Sequence, residues 1–354
     1  MQATFFLLKR FINAFLFINL INMKKIVLLL LVILCVVVSC DNASQLGQEL
    51  TQSSVTLSDD NLSTGKTAEV LLVMDKEWPE AIQDTVYELL QKTQVGLPQS
   101  EAMFSLSQIN PDLFSGDFTR RTNIVYMDVN NSYTEAECKI EKNTWSKPQI
   151  YVHICAPTRE DAVSCLADNR DRVLGMLFDN DIAKLQVVQS RNVNGELQNY
   201  VLKKFGIMMT IPAEYEIGRE GDDFLWLLYR TKKNDRFIMI YTTPNQKLTR
   251  EAMIIKRNFI ASQYIEGENK NVHPKVTEYE ELPIHRPLRI GALEGAELRG
   301  LWETTNDYMG GPFYQFSYVN INGECVTVDG SVYAPEEKKL VYMRQVEAIV
   351  KSVK

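Results

Sequence analysis

The chain has 354 residues, of which 45% are hydrophobic, 23% charged and 10% aromatic, with 17 Gly and 12 Pro. These ordinary values exclude a disordered chain, a collagen-like rod and a disulfide-rich miniprotein. A formal charge of −7 without any long Lys/Arg run excludes nucleic acid as the main partner, because phosphate neutralisation needs clustered positive charge. A mean hydropathy of −0.17 excludes a polytopic membrane protein, and the length leaves room for about two domains.

Two apolar runs open the chain, and the second has the order of an export signal. Met23, Lys24 and Lys25 form a basic start, residues 26–38 are uninterruptedly apolar, and Ser39 precedes Cys40. Thirteen apolar residues are fewer than the roughly 20 a membrane-spanning helix requires, but they suit a secretory signal. The pattern resembles a bacterial lipoprotein signal with its lipobox, in which Cys40 is lipidated and becomes the mature N-terminus. A complete signal preceded by 22 further residues is expected to start at Met23. A single longer anchor over 5–38 would carry Lys9, Arg10, Asn13, Asn19 and Asn22 into the bilayer at high cost. Removing the signal region, 1–39, takes away four basic residues and no acid, so the charge moves from −7 to −11 over 315 residues. Acyl chains contribute about 0.8 kcal/mol per buried CH₂, so more than one on Cys40 anchors the protein without a transmembrane helix.

Residues 40–66 are mostly small and polar, the composition of a flexible tether. A first module, 67–195, opens with an apolar strand over 69–74 (EVLLVM). Pro79 then starts a helix with Ile82, Val86, Leu89 and Leu90 on one face, and Gly96 and Pro98 stop it. Strands are predicted over 104–109 and 123–129, and a hairpin from 135–141 and 149–155. Thr158 and Asp161 have capping-box spacing and begin a long helix with apolar positions from Val163 to Leu185.

The second module, 196–354, is predicted to carry strands at 207–211, 224–229 and 237–241, separated by turns at 218–223 and 232–235. A helix capped by Thr249 ends before Gly267. Strands follow at 296–303, 313–320 and 324–333, with turns at Gly310-Gly311-Pro312 and Asn322-Gly323. A helix over 335–350 closes the chain, its Glu336 and Glu337 at the start and Lys351 and Lys354 at the end complementing the helix dipole. The fold class expected is α+β: two modules of mainly antiparallel sheet packed by helices.

The lipobox, Val73-Met74-Asp75-Lys76-Glu77-Trp78, Gly96-Leu97-Pro98-Gln99, Trp145-Ser146-Lys147-Pro148-Gln149 and Val332-Tyr333-Ala334-Pro335-Glu336-Glu337 together resemble a domain-of-unknown-function family of Bacteroidales-type bacterial lipoproteins. The likeness runs from about Ser63 to the C-terminus. It implies an envelope lipoprotein and brings no catalytic or binding residues with it. The strand, Ala-Pro-Glu-Glu turn and helix at the end of the second module also resemble photosystem-P-subunit/Mog-like sandwich domains.

Chemistry-bearing residues form no complete motif. Gly65-Lys66-Thr67 is the tail of a phosphate-binding loop, but Asp60 stands where its leading Gly belongs and a strand follows instead of a helix. His153 and Cys155 alternate onto one face of a strand, a placement compatible with a metal or a thiol nucleophile; the simplest reading is a sheet-edge histidine and a buried thiol. His273 and His285 fall in a Pro-rich stretch that signals loop or edge. Cys138, Cys155, Cys165 and Cys325 lack the spacing of a redox or metal motif, and no disulfide is assigned. The acid pairs Asp222-Asp223 and Glu280-Glu281 suit a solvated surface. Trp78, Trp145, Trp226 and Trp302 could stack on sugar rings, but their positions suit core. Asp84-Thr85-Val86 resembles a short O-glycosylation acceptor inside a predicted helix. No catalytic, cofactor-binding or metal residue is assigned, and Cys40 as the lipidation site is the one site residue. The expectation is a non-enzymatic interaction or assembly component of the cell envelope, lipid-anchored in the outer membrane by preference. Its partners would be the membrane and another envelope protein or glycan, with no nucleic acid. Alternatives are a glycan-binding lipoprotein, favoured by a rigid exposed aromatic platform, and a hydrolase, which would require His153 or His285 beside a Ser, Cys or carboxylate.

Overall fold

The structure, a computed structural model, describes residues 61–354 apart from 245–246, 266–270 and 280. The expected signal region, the lipidation site Cys40, the tether up to residue 60, and Glu280 lie outside the described residues. Among those described, no helix is long and apolar enough to cross a membrane.

The chain orders itself as β1 (Glu69–Val73), α1 (Glu80–Leu90), β2 (Ser105–Ile109), β3 (Asn123–Val129), β4 (Glu137–Lys142), β5 (Ile150–Ala156), α2 (Arg159–Gln189) and α3 (Gly195–Phe205). It continues with β6 (Glu216–Gly221), β7 (Phe224–Arg230), β8 (Asp235–Pro244), α4 (Arg250–Tyr264), β9 (Pro274–Thr277), β10 (Ile284–Ile290), β11 (Leu293–Thr304), β12 (Gly310–Val319), β13 (Glu324–Tyr333) and α5 (Leu340–Val350). The class is α+β.

The first sheet has the order β2-β1-β3-β5-β4. Three of its four pairings, β1 with β2, β1 with β3 and β3 with β5, are parallel, and only the β4–β5 hairpin is antiparallel. The expectation of mainly antiparallel pairing is therefore corrected for this sheet. Strands β1, β3 and β5 are buried over most of their length; β1 is apolar on both faces, as covered parallel strands are, whereas the second face of β3 and β5 also carries Asp128, His153 and Cys155. One face packs Val70, Leu72, Val125, Val152 and Ile154 under α1 and α2. Thr158 accepts the Asp161 amide at 3.1 Å and fixes where α2 begins.

Residues 61–66, expected to belong to the tether, are folded. Ser63 is buried and its hydroxyl meets that of Thr122 at 3.0 Å; the Ser63 and Thr64 amides donate to Lys147 and Arg120 carbonyls. Backbone bridges and a hydroxyl pair hold a polar segment that apolar burial alone would leave loose.

The second sheet is antiparallel throughout, in the order β10-β11-β12-β13-β8-β7-β6, with β9 continuing the β10 edge of β11. Alternating residues of its central strands fill two cores. Ile238, Ile240, Tyr314, Phe316, Val326 and Val328 pack with α3 and α5, while Phe237, Phe313 and Trp302 pack with Met253 and Ile254 of α4. Under α4, Arg257 donates to both Asp329 carboxylate oxygens at 2.7 and 3.3 Å, both residues being buried, and stacks over Phe313.

Four segments of the second half depart from expectation, one of them β6, a strand over Glu216–Gly221 where a turn was expected at 218–223. Residues 207–211 form no strand; Ile207, Met209 and Ile211 are buried in alternation, but the segment exchanges hydrogen bonds with Lys354 through Met208 instead of joining a sheet. Helix α3 replaces an expected connection, capped by Asn194 and ended by Gly206 at φ 68°. The closing helix starts at Leu340, five residues later than predicted, since 335–338 form a turn.

Helix α5 serves both halves. Leu340 joins the first core, and Met343, Val346, Ile349 and Val350 join the second. Along its side, Gln186 and Gln189 of α2 donate to the carbonyls of Ala348 and Gln345. Arg344 is buried between Phe178 and Phe104 and meets Asp181 at 3.7 Å. Burial pushes this guanidinium down to about 10 despite the carboxylates nearby.

Candidate functional site on the open face of the first sheet

Among the described residues, no α-helix covers the face of the first sheet turned away from α1 and α2. Register lays its side chains out in rows. Asp128, Cys155 and Glu137 are aligned across β3, β5 and β4; the next row is Tyr126, His153 and Lys139, and the next Ile124, Tyr151 and Glu141. Near β1, Leu71, Val73 and Ile124 are covered by Phe114 and Phe118 from the β2–β3 connection. Toward β4 the face opens to solvent: Glu137, Lys139 and Glu141 are exposed, while Asp128 and His153 are half-buried and Cys155 is buried. Charged side chains along β4 protect this edge from pairing with another strand.

The sequence pairing of His153 with Cys155 gains a third member in Asp128. His153 Nε2 lies 3.0 Å from Asp128 Oδ2 and 3.4 Å from Cys155 Sγ. Tyr133 donates its hydroxyl to the same Asp128 oxygen at 2.7 Å; hydrogen bonding to Asp128 and then to Cys155 raises its pKa above the ordinary tyrosine value. Burial, then the Asp128 charge, pushes Tyr126 up as well. His153 is not at a sheet edge, as the simplest reading had it: β5 lies between β3 and β4. The thiol is buried as expected.

The juxtaposition of His153 with a thiol and a carboxylate is what a hydrolase requires, but the geometry is not that of a relay. In a nucleophile–base–acid triad the imidazole addresses the nucleophile through one ring nitrogen and the carboxylate through the other. Here Asp128 and Cys155 both address Nε2, so the ring can serve one of them at a time.

Aromatic rings line the same face. Tyr126, His153, Tyr151 and Phe114 stand nearly parallel in series, at centroid separations of 5.3, 5.5 and 6.2 Å. Rings stacked on one another present their edges outward, not a flat platform. Trp145, 41% exposed, meets Tyr151 and Phe114 edge-on. Trp78 and Trp302 are buried and Trp226 is half-buried.

The remaining candidates are dispersed. His285 Nε2 is 2.8 Å from the Leu248 carbonyl. His273 exchanges backbone bonds with Thr305. Gly65-Lys66-Thr67 turns straight into β1, with Lys66 donating its amide to Glu69. Cys138, Cys155, Cys165 and Cys325 are free thiols; burial, then Cys165, pushes Cys138 up to about 11. Asp222 and Asp223 are exposed in the β6–β7 turn, and Thr85 lies on the outer side of α1 with its hydroxyl donating to the Ala81 carbonyl. A cleft of about 420 Å³ between the halves is lined by Lys92, Asp171 and Arg299 among others, but these charges are already matched: Lys92 to Asp171 at 3.1 Å and Arg299 to Glu347 at 2.6 Å.

The sequence signal for the cluster is the alternation Tyr151-x-His153-x-Cys155. Asp128 carries no local signal, because it arrives through the parallel register with β5.

Two family models match the chain. Residues 63–190 are similar to a domain of unknown function (DUF8532), and residues 194–352 to another domain of unknown function (DUF4837). No curated protein matches.

Proposed function

We propose that this protein is a Bacteroidales-type cell-envelope lipoprotein, held by lipid on Cys40 with the outer membrane as its preferred site. In this reading it acts as a non-enzymatic interaction component through the open face of its first sheet. The observation that carries the interaction reading is the β4 side of that face, where, among the described residues, no α-helix covers the sheet and exposed Glu137, Lys139, Glu141 and Trp145 border a half-buried polar cluster. The order of basic start, apolar run, Ser39 and Cys40 carries the anchor. The division into two modules, 67–195 and 196–354, is supported by separate family matches over 63–190 and 194–352, and helices on both faces of the second sheet support its likeness to photosystem-P-subunit/Mog-like domains. Another envelope protein is favoured over a glycan as partner, because most rings on the face are turned edge-on.

Cys40→Ala should release the protein from the membrane fraction and abolish lipid labelling; unchanged labelling and fractionation refute the anchor. A photoreactive residue in place of Lys139, activated in intact cells, should trap one protein partner, whereas one in place of exposed Ile255 on α4 should not. Trapping of polysaccharide at position 139 would instead favour the glycan-binding reading.

A further inference from the structure

The donor atoms of Asp128, His153 and Cys155 all lie within 4.8 Å of one another. Convergence of a carboxylate and a thiol on one ring nitrogen is awkward for a proton relay, but it is how three ligands surround a shared centre. With Zn–N and Zn–O near 2.0–2.2 Å and Zn–S near 2.3 Å, a tetrahedral ion separates its N and O donors by about 3.4 Å and its N and S donors by about 3.5 Å. The observed separations from His153 are 3.0 and 3.4 Å, so these two pairs need to open by only a few tenths of an ångström, and the Asp128 and Cys155 donors lie within 4.8 Å of each other.

We propose that Asp128, His153 and Cys155 bind one zinc-class transition-metal ion, with one side of the ion open to solvent. A carboxylate, an imidazole and a thiolate form a mixed donor set that favours such an ion over magnesium or calcium, which take oxygen donors. On binding, the Cys155 thiol gives its proton to solvent; thiolate and carboxylate then balance the two positive charges of the ion. All three ligands stand on the rigid paired strands β3 and β5, and Tyr133 orients the Asp128 carboxylate from outside the ligand shell. Half-buried His153 and Asp128 keep the site accessible. This site goes beyond the interaction reading and stands independently of it.

The reduced, untagged full chain is titrated with Co²⁺ and then with Zn²⁺. One equivalent of Co²⁺ should give a thiolate-to-cobalt charge-transfer band that Zn²⁺ abolishes. Cys155→Ser should lose the band, while Cys138→Ser, Cys165→Ser and Cys325→Ser keep it. Tyr133→Phe should weaken binding on the order of 10-fold, and Asp128→Asn by about 100-fold. Absence of saturable binding, a band that survives in Cys155→Ser, or one lost with Cys138 or Cys165 would overturn the assignment. Should Cys155→Ser lose the native circular dichroism, Asp128→Asn decides alone: unchanged affinity there overturns it too.

Discussion

The Glu101 carboxylate accepts the backbone amide of Lys339 at 2.8 Å and that of Leu340 at 3.2 Å, across 238 residues of sequence. A buried acid from the first half thus satisfies the amino end of the helix that closes the second, where amides lack helical partners and the dipole is positive. Glu101→Ala should cost about 1–2 kcal/mol, as loss of a strong helix cap does. Urea unfolding read by tryptophan fluorescence and by far-ultraviolet circular dichroism should give one coincident transition in the native chain. Two separate transitions would show that α5 does not couple the halves.

Glu347, buried on α5, lies 2.6 Å from Arg299 and 3.1 Å from Lys351. Burial pushes its carboxyl up, but the two cations together outweigh burial and hold it down to about 2, from an ordinary 4.5. A lowered folded-state pKa means stability that is complete above pH 4.5 and is lost as pH falls toward 2, amounting to about 3 kcal/mol over that window. Glu347→Gln should be less stable than the native chain at pH 7 and show a flatter loss between pH 4.5 and 2. Urea midpoints at pH 7, 4.5 and 3 check this; parallel pH profiles would count against it.

Gly330 on β13 lets α5 approach the sheet, since a Cβ there would stand 2.1 Å from Val346 Cγ1. Gly330→Ala should therefore cost about 1–3 kcal/mol by overpacking. Adding Val346→Ala should restore part of the loss. A double variant no more stable than Gly330→Ala in denaturant unfolding would place the cost elsewhere.

Removing Arg257 strands the Asp329 charge in the core. Arg257→Met should destabilise by about 3–5 kcal/mol, whereas Arg257→Met with Asp329→Leu should recover most of it, because an apolar pair replaces a buried ion pair without an orphaned charge. Thermal unfolding of the two variants separates these outcomes.

Much of the fold is legible in local sequence. The apolar runs at β1, β3 and β5, the Thr158 cap, the Thr249 cap and the Asn322-Gly323 turn each act within a few residues, and each forms where expected. What a strand pairs with is not local. Residues 207–211 alternate as a strand does, yet meet Lys354 instead of a ladder. Strand β6 carries no sequence signal, because nearly every side chain on it is exposed and no alternation results. Helix α3 carries local signals in the Asn194 cap, the apolar face of Leu197, Val201 and Phe205, and the Gly206 stop. The same division holds at the site: His153 and Cys155 are neighbours by strand period, while Asp128 joins them only through pairing with β5.

Arg344 sits beneath two rings of the first half, on a helix that occupies residues 340–350. Leu340 of the same helix joins that half's core, so its packing is incomplete until the closing helix is present. During synthesis, residues 63–190 therefore have all their own strands and helices before the segment that completes their packing.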